Sequence, residues 1–258
     1  MKITVINGTQ KHGVTYRLKE IFLEPFRSKA EITEFYLPAD CPSFCVGCTS
    51  CFLNGEETCK DFSYVHAIEQ ALLQADLIVM TSPAYVMHAT GAMKALLDHL
   101  AYRWLPHRPA PEFFAKRAVI LSQCLGAGAK SAAKDIKHSL SWWGISKIGV
   151  FTGALMSDIV WEKLPEKKKR KFSKKLTRLA RRFAKIDYEK PARTGVMTKI
   201  KFFICRTIQK KVRKNNPESA DVVYWQRRGW LYKDRPWKRG AKPGVDSDSN
   251  ASANPEKA

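Results

Sequence analysis

Short apolar runs punctuate the first 160 residues, and between them apolar positions recur at helical spacing. Lys2–Ile6 ends in Val5-Ile6 and stops at Asn7-Gly8, which predicts a short buried strand by length and β-branching. A helix capped by Thr15 is expected to run to about Phe26, with Leu18, Phe22 and Leu23 inward. Glu31–Leu37 predicts a second strand. Phe62–Ala75 reads as a helix and Asp76–Thr81, with the run L-I-V-M, as a third strand. Thr90 opens a helix carrying Met93, Leu96, Leu97, Leu100 and Trp104 on one face. Arg117–Leu121 predicts a fourth strand, Lys130–Trp142 a helix and Ile145–Phe151 a fifth strand.

Five apolar strands alternating with helices argue an α/β fold, a parallel sheet with helices on both faces. In such sheets ligands bind beyond the carboxyl ends of the strands, where the strand order reverses. Three segments leave a strand's carboxyl end and are rich in small or turn-forming residues: Asn7–Thr15, Thr81–Gly91 and Ser122–Gly128.

Composition adds a boundary to this pattern. Residues 1–160 hold 16 Lys and Arg against 14 Asp and Glu, whereas residues 161–258 hold 29 against 10. The last 98 residues therefore carry +19 of the total +21. This asymmetry divides the chain into a main domain (1–160), a basic and mostly helical extension (161–239) and a polar tail (240–258) expected to be disordered. Two amphipathic helices are predicted in the extension. Glu166–Ile186 aligns Phe172, Leu176, Leu179 and Phe183, and Met197–Val212 aligns Ile200, Phe203, Ile204 and Ile208, with Lys and Arg opposite. The expectation is that these stripes, with Trp225, Trp230 and Trp237, dock on the main domain. Peripheral contact with an anionic membrane is the alternative, and nucleic-acid binding the less favoured one.

No apolar run approaches the roughly 18–20 residues needed to span a bilayer. The amino terminus reads as a strand and glycine turn and lacks a signal peptide's apolar stretch. With an odd number of cysteines, seven, this predicts a cytoplasmic protein.

Four of those cysteines form a motif: Cys45, Cys48, Cys51 and Cys59, reading C-V-G-C-T-S-C-F-L-N-G-E-E-T-C. Two successive C-x-x-C steps place three sulfurs where one short loop can wrap a metal cluster, and the fourth can complete the shell. Sets of four thiolates bind iron–sulfur clusters or structural zinc. Free thiols or a disulfide-exchanging pair stay open beside these. Cys41 lies outside the motif, and Cys124 reads as a core residue.

Each strand-end loop offers its own chemistry. Asn7–Thr15 (N-G-T-Q-K-H-G-V-T) combines glycines, the hydroxyls of Thr9 and Thr15 and a helix amino terminus, a set suited to a phosphate. It is neither a Walker loop nor G-x-G-x-x-G, which disfavours nucleoside triphosphates and a dinucleotide held in the Rossmann manner. Ser82-Pro83-Ala84-Tyr85-Val86 presents a fixed backbone and a flat apolar surface to an aromatic ring. Gly126-Ala127-Gly128 permits close approach of a planar ligand.

N-G-T-x-K-x-G-x-T after the first strand, T-S-P-A-Y-V-M-x-A-T-G-x-M-K after the third and the glycine-rich loop after the fourth resemble the flavodoxin-like NADPH-dependent FMN reductase family over roughly residues 1–150. Gln10 stands where that family commonly has proline, and Val14 where it has asparagine. The resemblance implies bound FMN, with Gly8, Thr9, Lys11 and Thr15 at its phosphate. It places Pro83, Ala84, Tyr85 and Val86 along the isoalloxazine ring and Gly126, Ala127 and Gly128 at the ring's other edge. It further implies NAD(P)H as cosubstrate, no protein acid or base, an acceptor such as a quinone, nitroaromatic, flavin or protein, and a homodimer. The cysteine loop is similar to that of the family's iron–sulfur flavoproteins, which implies Cys45, Cys48, Cys51 and Cys59 as ligands of a 4Fe–4S cluster. Relatives without a cluster carry loops of the same kind, so both readings stand.

Overall fold

The computed structural model describes residues 1–156, 158 and 160–238. The tail expected to be disordered, residues 240–258, lies outside them. Five strands, β1 (Lys2–Asn7), β2 (Glu31–Tyr36), β3 (Leu77–Pro83), β4 (Arg117–Cys124) and β5 (Lys147–Ala154), form one parallel sheet in the order β2-β1-β3-β4-β5. This is the parallel α/β sheet that the strand–helix alternation predicted, in the flavodoxin-like form that the family resemblance implied.

The near-continuous apolar runs follow from burial on both faces. The short helix α2 (Ser50–Leu53) lies within the cysteine loop, and Ile6, Ile78, Met80 and Ile120 point to one side of the sheet, under α3 (Phe62–Gln74), α4 (Gly91–His99) and α5 (Ala129–Trp142). Ile3, Val5, Val79 and Leu121 point to the other, under α1 (Val14–Leu23) and α6 (Glu166–Ala184). The first connection carries the chain outward from β1 to β2, and the next returns it past β1 to β3. The order therefore reverses between β1 and β3, where the first two strand-end loops begin.

Several boundaries differ from the sequence expectation. Gly13, not Thr15, is the N-cap of α1 and offers no side-chain cap, while Thr15 sits inside the first turn. The helix stops at Leu23 because Pro25 has no N–H to continue it, and a 3₁₀ turn (Glu24–Phe26) follows. α4 ends at His99, so Trp104 lies beyond it and stacks on Trp142 at 5.5 Å. β5 extends to Ala154 because Thr152, Gly153 and Ala154 pair with Ser122, Gln123 and Cys124. Gly149 and Gly153 leave room on β5 for Phe183 and Phe172 of α6. A Cβ at either glycine would meet a ring carbon at 2.7 Å.

The extension is held by a face the helical period did not single out. On α7 (Val196–Asn215) the buried residues are Thr198, Phe202, Cys205, Arg206 and Gln209. The expected docking stripe of Ile200, Phe203, Ile204 and Ile208 is on the exposed side. Phe202 wins because aromatic rings surround it: Trp225, Trp230 and Trp237 lie 5.0–5.6 Å away, and Phe114 of the main domain is 6.1 Å away. Trp225, on α8 (Ala220–Arg227), also donates its indole N–H to the His107 carbonyl at 2.6 Å.

Candidate functional site

Gly8 ends the first strand by crossing close to the third. Its N–H donates to the Thr81 carbonyl at 2.7 Å, and a Cβ there would stand 2.8 Å from that oxygen. Thr90 caps α4 by accepting from the Met93 N–H, and its hydroxyl donates to the Gly8 carbonyl at 2.6 Å. Ser82 accepts from the Thr90 N–H at 3.1 Å. Gly8 thus spends both backbone groups on joining loop 1 to loop 2.

Beyond Gly8, the Thr9 hydroxyl oxygen accepts from the Lys11 N–H at 3.2 Å and keeps its own hydrogen free to donate. The Lys11 side chain is exposed. The amino terminus of α1 has no side-chain cap among the described residues and directs its first-turn backbone N–H groups and the positive end of the helix dipole toward loop 1. Thr15 is buried and accepts from Gln123 Nε2 at 3.0 Å, tying loop 1 to β4. Gln123 Oε1 is buried with no hydrogen-bond partner among the described residues, an acceptor left over in the crevice.

Loop 2 is a tight reversal. The Tyr85 N–H donates to the His88 carbonyl at 2.9 Å and the His88 N–H returns to Tyr85 at 3.1 Å. Val86 and Met87, at φ of 48° and 72°, occupy the left-handed region. For a β-branched residue this conformation is strained and persists only where surroundings impose it. Asp135 of α5 imposes it in part, accepting from the Ala89 N–H at 3.0 Å and standing 3.1 Å from His88 Nδ1. The turn presents Tyr85, Val86 and Met87 to solvent, with Val86 93% exposed, while Pro83 is buried at the end of β3.

Loop 3 closes against loop 2. Gly128, at φ of 101°, leads into α5, and a Cβ on it would lie 2.7 Å from the Met87 Cα and 3.2 Å from the Ala84 Cβ. The Ala84 N–H donates to the Gln123 carbonyl at 2.7 Å. Gly126, in contrast, has nothing within 4 Å of the place its Cβ would take, and Leu125 and Ala127 are exposed. The three loops therefore converge at the switch point, and a crevice between them would have an uncapped helix end and hydroxyl groups on one side and a strained apolar turn on the other.

The four motif cysteines come together as well. Cys45, Cys48, Cys51 and Cys59 line a cavity of about 350 Å³, which Asp61 and His99 also border. Cys59, Asp61 and His99 bring ligand atoms within 4.8 Å of one another, and the buried Asp61 Oδ2 stands 3.8 Å from His99 Nε2 with no hydrogen-bond partner among the described residues. Burial and the neighbouring Cys59 raise the Cys51 thiol. Burial, then Asp61 and Cys59, push Cys41 up to about 11, so it stays a thiol. Beneath the loop, Arg108 donates to the Cys51 carbonyl, to Glu56 at 3.1 Å and to Asp221 of α8 at 2.7 Å. Arg103 donates to the other Glu56 oxygen at 2.9 Å, and together the two guanidiniums overcome burial to hold Glu56 below the usual carboxylate range. The extension so braces the cysteine loop.

Sequence reasoning missed Thr90, Gln123 and Asp135 as organisers of the site. Thr90 was visible as a helix cap, but its bond to Gly8 spans 82 residues. Asp135 carries no local signal at all.

The strand order and the loops that meet at its switch point define a flavodoxin-like scaffold. A solved FMN-dependent NADH-azoreductase from Bacillus anthracis, in complex with FMN, shares that fold at a TM-score of 0.56 and 13% identity, over 71% of this chain and all of that one. The chain belongs to the NADPH-dependent FMN reductase family, which matches residues 1–158, and with it to the NAD(P)H-dependent FMN oxidoreductases. An iron–sulfur flavoprotein of Archaeoglobus fulgidus is similar, 22% identical over 153 residues, or 58% of this chain and 67% of that protein. An NADPH azoreductase of Bacillus sp. (strain OY1-2) is 26% identical over 165 residues, 64% of this chain and 78% of its own.

Proposed function

We propose that the crevice binds FMN and that the protein passes reducing equivalents from NAD(P)H to a small acceptor such as a quinone, a nitroaromatic or free flavin. The observation that supports this reading is the joining of three strand-end loops, loop 1 to loop 2 through Gly8, Thr81 and Thr90, loop 1 to β4 through Thr15 and Gln123, and loop 3 to loop 2 through the close approach of Gly128 to Met87. FMN supplies the hydride chemistry when bound, and the protein positions it and tunes its surroundings. The first-turn N–H groups of α1, with the hydroxyls of Thr9 and Thr15 and the charge of Lys11, suit the phosphate. Gln123 Oε1, buried without a partner, suits a ring N–H. The turn at Ala84, Tyr85 and Val86, with Pro83 behind it, and the open edge at Gly126, Ala127 and Gly128 suit the ring itself. Purified protein should be yellow, should release FMN on denaturation and should oxidise NAD(P)H when a quinone is added. A colourless protein that fails to take up FMN at micromolar levels defeats the reading.

A second reading concerns the cysteine loop, and the cavity that its four cysteines line favours it. Cys45, Cys48, Cys51 and Cys59 fit a 4Fe–4S cluster by donor type, since soft thiolates are the ligands such clusters take. Anaerobic purification should then give about four irons and matching acid-labile sulfide per chain, lost in Cys48→Ser. Iron and sulfide near zero would leave the loop as a thiol or structural element.

A further inference from the structure

The stripe of α7 that the sequence would have buried is a run of exposed apolar side chains. Val196, Met197, Ile200, Phe203, Ile204 and Ile208 are between 38% and 73% exposed. At 100° per residue they fall within one face of the helix, opposite the face that holds Phe202, Cys205 and Gln209. Soluble surfaces seldom leave so continuous an apolar band without a partner. The band is bordered by cations: Lys199 and Lys201 lie on its flanks, and Lys210, Lys211 and Lys214 continue it at the carboxyl end. The last three are exposed, and no acidic group pairs with them among the described residues.

We propose that this face of α7 lies in the interfacial region of an anionic lipid bilayer. An aliphatic stripe edged by lysines is the arrangement that sinks a helix to the headgroup boundary while its cations meet lipid phosphates. Other occupants fit these side chains less well. A second copy of the chain would bring another +21 and set lysine against lysine around the contact. Nucleic acid would find cations but no exposed aromatic platform along the stripe beyond Phe203. Residues 239–258 hold a single branched aliphatic side chain, Val245, and so supply too little to cover a stripe of about three and a half helical turns. No helix among the described residues is long and apolar enough to cross a membrane, so the contact is peripheral.

Co-sedimentation of the full chain with vesicles tests this. Binding is expected to phosphatidylcholine vesicles containing phosphatidylglycerol, and much less to phosphatidylcholine alone. The double variant Ile200→Ser/Ile204→Ser should bind the anionic vesicles at least about tenfold more weakly. Its Tm should be unchanged, because both side chains are already exposed. The variant Lys210→Gln/Lys211→Gln/Lys214→Gln should weaken binding and reduce its salt sensitivity. Absence of binding to anionic vesicles overturns the proposal. So does equal binding by the isoleucine variant, which would mean charge alone acts. A dimer in sedimentation equilibrium that the isoleucine variant dissolves would also overturn it, by assigning the stripe to a second copy.

Discussion

Two glycines in one loop separate what the crevice needs to fold from what it needs to bind. At Gly128 the backbone is left-handed, φ 101°, and a Cβ would press on the Met87 Cα at 2.7 Å and the Ala84 Cβ at 3.2 Å. Neither neighbour is the tip of a flexible side chain, so the loop itself must move. The left-handed conformation costs a non-glycine residue about 1–2 kcal/mol, and overpacking against backbone adds about 1–3 kcal/mol. Gly128→Ala should therefore destabilise by about 2–5 kcal/mol, lowering Tm by roughly 4–20 °C in a chain of this size. Gly126 has no atom near its missing Cβ and no strained angle. Gly126→Val should leave the FMN-free protein within about 0.5 kcal/mol of the wild type. It should nevertheless weaken FMN binding, by about tenfold or more, because the new side chain occupies the edge assigned to the ring. Differential scanning fluorimetry without FMN and fluorescence titration with FMN read the two effects separately. Equal apo stability of the two variants would refute the packing argument. Unchanged FMN affinity in Gly126→Val would refute the placement of the ring.

Thr15→Val removes a hydroxyl assigned to the phosphate and strands Gln123 Nε2. FMN affinity should fall by about 1–3 kcal/mol, measured by titration. Glu34 is held below the usual carboxylate range because Lys19 at 2.5 Å, Asn7 and Tyr36 outweigh its burial. Its contribution is present above the unfolded carboxylate pKa and is lost as pH falls through the lower folded value. Glu34→Gln should cost about 1–3 kcal/mol at neutral pH, and urea titrations should show that gap closing in mild to strong acid. Trp225→Ala empties a fully buried site and frees the His107 carbonyl, so urea denaturation should show a loss of about 3–5 kcal/mol.

Much of this was legible in order along the chain. Strands β1, β3 and β4 declared themselves as apolar runs because both faces of a parallel sheet are covered, and loops 1 to 3 followed from where those runs stop. What failed were features decided across the fold. The end of β5 is set by pairing of Thr152–Ala154 with β4, and those residues carry no apolar run. The helical period of α7 pointed to the arc of Ile200, Phe203, Ile204 and Ile208, whereas the arc that holds Phe202 is the buried one. The aromatic cluster of Trp225, Trp230 and Phe114 makes the choice. Within the site, hydroxyls and glycines were visible, while Gln123 and Asp135 owe their place to partners 108 and 46 residues away.

The central claim is that the three-loop crevice is an FMN site, and identification of the released flavin tests it most directly. Full-length protein, reconstituted with excess FMN or FAD, desalted and then denatured, should release about one FMN per chain and little FAD. Binding should be reduced in both Thr15→Val and Gly126→Val. Retention of no flavin, or FMN retention indifferent to both substitutions, would contradict the account.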